Sequence, residues 1–189
     1  MQNHHNNTAL LVMDVQNGIV SRFAEDGKVL LPFQKAVEAA RRHTIPVIFV
    51  RVAFREGYPE ISSRNKSFSA IFGLGGITVS DIATQIHESV QPQQNEPVVT
   101  KLRVSAFVGS DLDVILRSLQ IDTLILSGIA TSGVVLSTLR EAADRDFTLT
   151  VLSDACFDAD PEVHRVLIEK VFPRQADVLT VDAWIDTLD

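Results

Sequence analysis

The chain has 189 residues, 46% of them hydrophobic and 22% charged, which is typical of one soluble globular domain over residues 1–189. A formal net charge of −7, without any run of basic residues, argues against a nucleic-acid partner. The single cysteine excludes an internal disulfide, and no apolar run approaches the roughly 20 residues that a membrane span needs. We therefore expect a cytoplasmic protein with no membrane partner and with a disordered polar tail over residues 1–7.

Short apolar segments alternate with amphipathic ones along the whole chain. Continuous apolar runs of this kind are typical of parallel strands that are buried on both faces. The predicted strands are 9–13, 46–52, 97–101, 123–126, 148–152 and 178–181. The predicted helices are 29–43, 109–119, 131–144, 161–171 and a short one that contains Trp184. This alternation predicts a doubly wound, three-layer α/β/α domain with a six-stranded parallel sheet.

Local signals refine the boundaries of these elements. Gly128 is expected to end the fourth strand with a sharp break before the helix at 131–144. Pro161 suits the first turn of the helix that it begins. Ser110 is the predicted N-cap of the helix over 109–119, whose core-facing side chains are Leu112, Ile115, Leu116 and Leu119.

Residues 53–94 form a long segment that no regular pattern accounts for. Its glycines miss the spacing of a dinucleotide-binding loop, so no cofactor is expected. Its aromatic side chains could wall an active site, or could pack on the sheet or on a partner subunit: Phe54, Tyr58, Phe68 and Phe72. A segment this long favours a homo-oligomer, most simply a homodimer.

Two charged side chains mark the ends of predicted strands. Asp14 follows the first strand directly, and Lys101 ends the third. The carboxyl ends of parallel strands meet at one edge of the sheet, where ligands bind. On the residues alone, however, an Asp in this place more often caps a turn, and a Lys at a strand end is more often solvated.

Two sequence motifs favour a functional role for these residues. Residues 128–138 read GIATSGVVLST and match, in register, the pattern Gly, apolar, x, Thr, x, x, Cys, Val, x, x, Thr at every specified position except the cysteine. Residues 101–107 read KLRVSAF and match a second pattern, K-x-R-x-S-A-F. On these motifs the chain resembles the isochorismatase-like hydrolases, also called the cysteine hydrolase or nicotinamidase superfamily, from about residue 8 to residue 181.

The resemblance implies roles for particular residues. Asp14 matches the general acid or base of the family, and Lys101 matches its catalytic lysine. A non-proline cis peptide is implied between Ile129 and Ala130. No metal is expected, because the Asp-x-His pair and further His of metal-using members are missing and His87 stands alone. The residues implied to bind the substrate are Gln16, Ile129, Ala130 and Val134.

The nucleophile of the family is missing from this chain. Val134 stands at the cysteine position, and a valine has no lone pair with which to attack a carbonyl carbon. Cys156 follows a strand without a recognisable activating neighbour, and neither Ser132 nor Ser137 has a base within a recognisable motif. The usual thioester route therefore cannot start from position 134.

Three hypotheses follow for the function. The resemblance implies a hydrolase of a small molecule, and in its vinyl-ether-cleaving members, which carry Gly at this position, the Asp protonates the substrate while water attacks. In that mechanism Asp14 needs a pKa that burial has raised, so that it can act as an acid. Lys101 would orient a substrate carboxylate or stabilise charge, but its own positive charge lowers the pKa of a nearby Asp14. The alternatives are a catalytically silent small-molecule binder or scaffold, and an amide hydrolase with an unrecognised nucleophile.

Overall fold

The computed structural model of the protein describes residues 7–23 and 27–188. Except for Asn7, the predicted disordered tail over residues 1–7 lies outside the described residues. The carbonyl oxygen of Asn7 accepts hydrogen bonds from the backbone N–H groups of Asp122 and Thr123, at 2.9 and 3.1 Å. Asn7 is therefore tied to the sheet.

Parallel strands form the centre of the molecule, as predicted. The strands are β1 (Thr8–Met13), β2 (Val47–Val52), β3 (Val98–Lys101), β4 (Thr123–Ile129), β5 (Thr148–Phe157) and β6 (Asp177–Leu179). They form a six-stranded sheet in the order β3-β2-β1-β4-β5-β6, and every pair is parallel. The order reverses between β1 and β4, so a ligand is expected to bind at the carboxyl ends of these two strands.

Helices cover both faces of the sheet. They are α1 (Asn17–Phe23), α2 (Leu31–Arg42), α3 (Lys66–Phe72), α4 (Leu112–Ser118), α5 (Leu136–Ala143), α6 (Pro161–Val166) and α7 (Val181–Ile185). π-Helical turns at Thr131–Val135 and Leu167–Val171 precede α5 and follow α6. Among the described residues, no helix combines the length and apolar character that crossing a bilayer requires.

The two faces of the sheet carry separate hydrophobic cores. On one face, side chains of β1, β2 and β4 pack against the apolar sides of α4 and α5. On the other face they pack against α2 and α7, where Phe33, Val37 and Ala40 recur at helical spacing and Trp184 is buried. This arrangement confirms the three-layer α/β/α prediction.

Gly128 does not break β4, contrary to the sequence prediction. The strand continues to Ile129, and β5 likewise runs to Phe157 rather than ending at residue 152. A Cβ atom at position 128 would lie 2.8 Å from the carbonyl oxygen of Met13. Glycine is therefore required because β1 and β4 approach each other closely at this point, not because the chain turns there.

The predicted start of α4 was also wrong. The helix begins at Leu112, after Gly109 in the left-handed region with φ of 74°. Asp111 occupies the N-cap position without a capping side-chain bond, whereas the hydroxyl of Ser110 donates to the carbonyl of Ala106 and accepts from the N–H of Leu112 at 3.3 Å. Leu119, predicted to face the core, is 42% exposed because it follows the last turn of the helix.

The long segment over residues 53–94 contains α3 and packs largely on its own chain. Phe54 and Phe68 are both buried and meet edge to face, with ring centroids 5.4 Å apart. Tyr58 lies against Phe54 with a centroid separation of 6.5 Å. Of the two interpretations offered for these aromatic side chains, packing within the domain therefore accounts for Phe54 and Phe68.

Candidate active site

Asp14 and Lys101 meet at the carboxyl edge of the sheet. Asp14 follows β1 in the left-handed region, with φ of 59°, and its N–H donates to the carbonyl of Val50 at 2.8 Å. Lys101 is the last residue of β3, two strands away. Its Nζ lies 3.0 Å from Oδ2 of Asp14, and the two residues are only 2% and 5% exposed. The expected proximity of these residues is therefore present.

All three protons of the Lys101 ammonium group have acceptors. Besides Asp14 Oδ2, Nζ donates to the carbonyl oxygens of Arg103 and Val104 at 3.0 and 3.1 Å. An ammonium group has three donors and no acceptor. Lys101 can therefore contact a substrate only by giving up one of these bonds.

The two oxygens of the Asp14 carboxyl group differ in their surroundings. Oδ2 is paired with Lys101, whereas Oδ1 is buried and has no hydrogen-bond partner among the described residues. Burial raises the pKa of Asp14 above its ordinary value and outweighs the opposing charge and hydrogen bond of Lys101. The question that the sequence left open, whether burial or Lys101 dominates, is answered in favour of burial.

Gln16 lies beside this pair but is occupied by the backbone. Its Nε2 donates to the carbonyl oxygens of Val52 and Thr84, at 3.0 and 2.8 Å, and its Oε1 accepts from the N–H of Val52 at 2.9 Å. The residue is buried. These bonds brace the end of β2 against the turn at 82–84, so the structure places Gln16 as a support of the site.

The end of β4 forms the second wall of the candidate site. The Ile129–Ala130 peptide is cis, and the π-helical turn Thr131–Val135 follows directly. Ile129 is buried, while Ala130 is half-buried. Val134 is 2% exposed and packs in the hydrophobic core; its Cγ1 lies within 3.3 Å of where a Cβ at Gly128 would be. The position at which the resemblance implies a nucleophile is thus filled by an apolar side chain.

Two residues that sequence reasoning missed lie next to this turn. Nδ1 of His164 is 2.8 Å from Oγ1 of Thr131, and Oδ2 of Asp158 accepts from the N–H of Ser132 at 2.7 Å. Asp158 lies in the connection between β5 and α6, and His164 lies in α6 itself. Because β5 was predicted to end at residue 152, the sequence did not place Asp158 at the sheet edge. A polar residue directly after the true strand end was the available signal.

Neither Cys156 nor Thr131 offers an accessible nucleophile. Burial raises the pKa of the Cys156 thiol to about 12, with a further rise from Asp154 and an opposing hydrogen bond from the Gly128 backbone. Thr131 has an imidazole partner, but it is 0% exposed, so its hydroxyl cannot reach a substrate as the turn stands. Within residues 7–23 and 27–188, no three His, Cys, Asp or Glu side chains are grouped closely enough to hold a metal ion.

Comparison with known proteins decides the family. The sequence model of the isochorismatase domain matches residues 8–183. The chain belongs to the isochorismatase family. It is 33% identical to the isochorismatase family protein YwoC of Bacillus subtilis over 179 residues, which cover 95% of this chain and 93% of that protein.

Named enzymes of this hydrolase family are also similar to the chain. The ureidoacrylate amidohydrolase RutB of Pseudomonas savastanoi pv. phaseolicola is 29% identical over 212 residues, covering 96% of this chain and 81% of that protein. A cysteine hydrolase from Pseudomonas syringae pv. phaseolicola 1448A has the same fold, with a TM-score of 0.89. The two sequences are 23% identical, and the aligned residues cover 98% of this chain and 93% of the chain of the cysteine hydrolase.

The two isochorismatase-family motifs of this chain hold each other in place. The backbone N–H of Ala106 donates to Oγ1 of Thr138 at 3.0 Å, in the buried interior. The hydroxyl of Ser105 donates to Oε2 of Glu141 at 2.5 Å, also on α5. These bonds anchor the loop whose carbonyl groups receive the protons of Lys101. Ser105, Ala106 and Thr138 of the two motifs therefore support the loop that holds Lys101.

Proposed function

We propose that this isochorismatase-family hydrolase transfers a proton through Asp14 and uses water, rather than a protein side chain, to attack its substrate. The proposal rests on the different surroundings of the two oxygen atoms of the Asp14 carboxyl group. Oδ2 is bound to Lys101 at 3.0 Å, whereas Oδ1 is buried without a partner among the described residues. A buried polar atom without a partner is unfavourable unless a ligand supplies one. Oδ1 is therefore the atom assigned to the substrate.

The protonation state of Asp14 supports a role as general acid. Because burial raises its pKa, the carboxyl group keeps its proton to higher pH than an exposed Asp does. Lys101 holds Oδ2 and so orients the free oxygen. Since its three donors are used within the protein, Lys101 acts here by positioning Asp14.

An enol ether is the substrate class that suits this arrangement. Asp14 donates its proton to the double-bond carbon that does not carry the ether oxygen. The positive charge that results is shared between the oxygen-bearing carbon and the ether oxygen. Water adds to the charged carbon and returns one proton to Asp14. The resulting hemiketal breaks into a ketone and an alcohol, so the net reaction consumes one water molecule. No covalent bond to the protein is formed.

Small amides are the second substrate class, and a catalytically silent binder is the remaining alternative. The similarity to RutB, which is named an amidohydrolase, favours amides. The silent binder is favoured by the apolar side chain of Val134 at the nucleophile position and by the high pKa of Cys156.

Turnover assays with small enol ethers and small amides test these alternatives. The Asp14→Asn variant, which keeps the shape but cannot donate the proton, should lose at least about 100-fold in turnover, whereas Cys156→Ala should keep it. Mass spectrometry in ¹⁸O-labelled water should show labelled product and no adduct on the protein. Full activity of Asp14→Asn would refute the proposal, and binding without turnover of any compound would establish the silent binder.

We also propose a cytoplasmic homodimer. The single cysteine is buried and has a raised pKa, as suits a protein that needs no disulfide. Apolar side chains at positions 74 and 82 are well exposed, which suits a surface that a second subunit covers.

A further inference from the structure

The turn that leads from β4 into α5 has irregular backbone hydrogen bonds, since the N–H of Leu136 reaches the carbonyl oxygens of both Gly133 and Thr131. The N–H of Val135 reaches the carbonyl of Ala130 at 3.4 Å, which is long for a hydrogen bond, although Gly133 reaches the same carbonyl at 3.1 Å. Ala130 has no side chain that could cap the helix. The first N–H groups of a helix lack partners within it, so this turn needs support from elsewhere in the fold.

The support comes from two side chains that are distant in sequence. Asp158 accepts from the N–H of Ser132 at 2.7 Å and so caps the turn from outside, across 26 residues. His164 pairs with the hydroxyl of Thr131 at 2.8 Å, across 33 residues. Thr131 is fully buried, so this pair is shielded from competing water.

We propose that Asp158 and His164 are positioning residues, which hold the turn Thr131–Val135 so that the positive end of the helix that it opens faces the ligand. The inference rests on the proposed place of the substrate at the end of β4. It does not depend on which reaction takes place there, so it can be tested without a substrate.

The charges of the two residues suit this task. Although burial acts to raise the pKa of Asp158, hydrogen bonds from Ser132 and the backbone lower it below its ordinary value, so the cap is an anion at the positive end of a helix. Partial burial lowers the pKa of His164, against the opposing effect of Asp158. His164 is therefore neutral at and above pH 7, and either neutral tautomer can pair with a hydroxyl.

A thiol introduced at position 134 reports the alignment of the turn. The parent protein carries Val134→Cys together with Cys156→Ala, so that it has one thiol, and the rate of alkylation by iodoacetamide from pH 7 to pH 10 gives its pKa. Position 134 is buried like Cys156, and burial raises a thiol pKa whereas the helix N-terminus lowers it, so the parent pKa should lie well below the value of about 12 for Cys156. His164 stays neutral over this range, so changes at position 164 do not alter the charge.

Two matched pairs of variants in this parent separate positioning from packing. Thr131→Val keeps the volume but loses the hydroxyl, and His164→Gln moves the polar group away from the place of Nδ1. Both should raise the thiol pKa and slow alkylation at pH 7.5 about threefold to tenfold. Thr131→Ser and His164→Asn keep a polar group in the right place and should stay within about twofold of the parent.

The outcomes are decisive in both directions. A parent thiol pKa as high as that of Cys156 would overturn the inference, because the turn would then not stabilise a thiolate at position 134. Equal rates in all four variants would overturn it as well. Equal losses in all four would show that only packing matters at these positions. If His164→Gln does not fold, as judged by circular dichroism, the comparison of Thr131→Val with Thr131→Ser decides alone.

Discussion

At the scale of single residues, the charge of Asp14 is the property on which the proposed chemistry depends. Its carboxyl group is buried beside a cation, and the unfavourable burial of charge exceeds the attraction of Lys101. An acid with a raised pKa in the folded state stabilises the fold in its protonated form. This contribution is present below the unfolded-state pKa and is lost as pH rises through the folded-state pKa.

The pH dependence of stability should therefore differ between the wild type and Asp14→Asn. Above the unfolded-state value of 3.8, the folded wild type binds more protons than its unfolded chain. Its free energy of unfolding should fall relative to that of the variant as pH rises through this window, by up to about 1.4 kcal/mol per pH unit. Urea denaturation of both proteins between about pH 4 and pH 8 measures the difference. A difference that stays constant or changes in the opposite direction would contradict the assignment.

Position 134 offers a second prediction at the residue scale. In the single variant Val134→Cys, the new thiol should react with iodoacetamide faster than Cys156, whose pKa burial raises to about 12. The new thiol lies in the first turn of a helix, where N–H groups favour a thiolate. The variant should fold, since the change in volume is about one methyl group and costs on the order of 1 kcal/mol. Peptide mapping of alkylation distinguishes the two thiols, and equal labelling would favour the silent binder.

At the scale of elements, the contact between β1 and β4 shapes the crevice. Met13 pairs with Gly128 in the register of these strands, immediately before Asp14 and the cis peptide. A side chain at position 128 would meet the Met13 carbonyl oxygen, which the sheet cannot move without distorting β1. The two walls of the candidate site therefore follow directly from a close backbone contact at the end of the β1–β4 pairing.

A matched pair of glycine substitutions tests this contact. Gly128→Ala should lower the free energy of unfolding by about 1–3 kcal/mol, because its Cβ would lie 2.8 Å from the Met13 oxygen. Gly133→Ala is the control, since its Cβ would be 3.9 Å from the nearest atom, the Cβ of Ala130. As a helical position it should be neutral or more stable by up to about 1 kcal/mol. Urea denaturation measures the free energy of unfolding of both variants. An equal change in the two would show that the close contact between position 128 and Met13 does not restrict the side chain there.

Some motif residues support the site by joining elements of the fold and do not take part in the chemistry themselves. Lys101 ends β3 as predicted, but Ser105, Ala106 and Thr138 serve to attach the following loop to α5. A change in these residues should act on the site through the loop, without contact with the substrate.

At the scale of the whole molecule, we predict a homodimer with a contribution from the segment that follows α3. Leu74 and Ile82 are 77% and 80% exposed in this segment. Light scattering at micromolar concentrations should give twice the mass of the chain, which is 20.8 kDa. Ile82→Glu should shift the protein toward monomer, whereas Val114→Glu, at an exposed apolar residue of α4, should not. A monomer mass for the wild type would refute the dimer.

Much of the architecture follows from the sequence alone. Apolar runs between amphipathic segments predict the number of strands and their parallel arrangement, because this pattern reflects burial on both faces of a sheet. The ends of the predicted strands likewise place Asp14 and Lys101 at one edge, and the resemblance implies that Val134 stands at the position of the nucleophile. These properties are local, or depend only on the order of elements along the chain.

The tertiary structure decides how these residues are used. It shows that Lys101 has no spare donor, that Gln16 braces the backbone, and that His164 reaches Thr131 from 33 residues away. It also shows that burial outweighs Lys101 in setting the pKa of Asp14. Desolvation and hydrogen-bond partners depend on atoms contributed by every element packed around a group, and the spacing of residues along the chain does not specify those atoms.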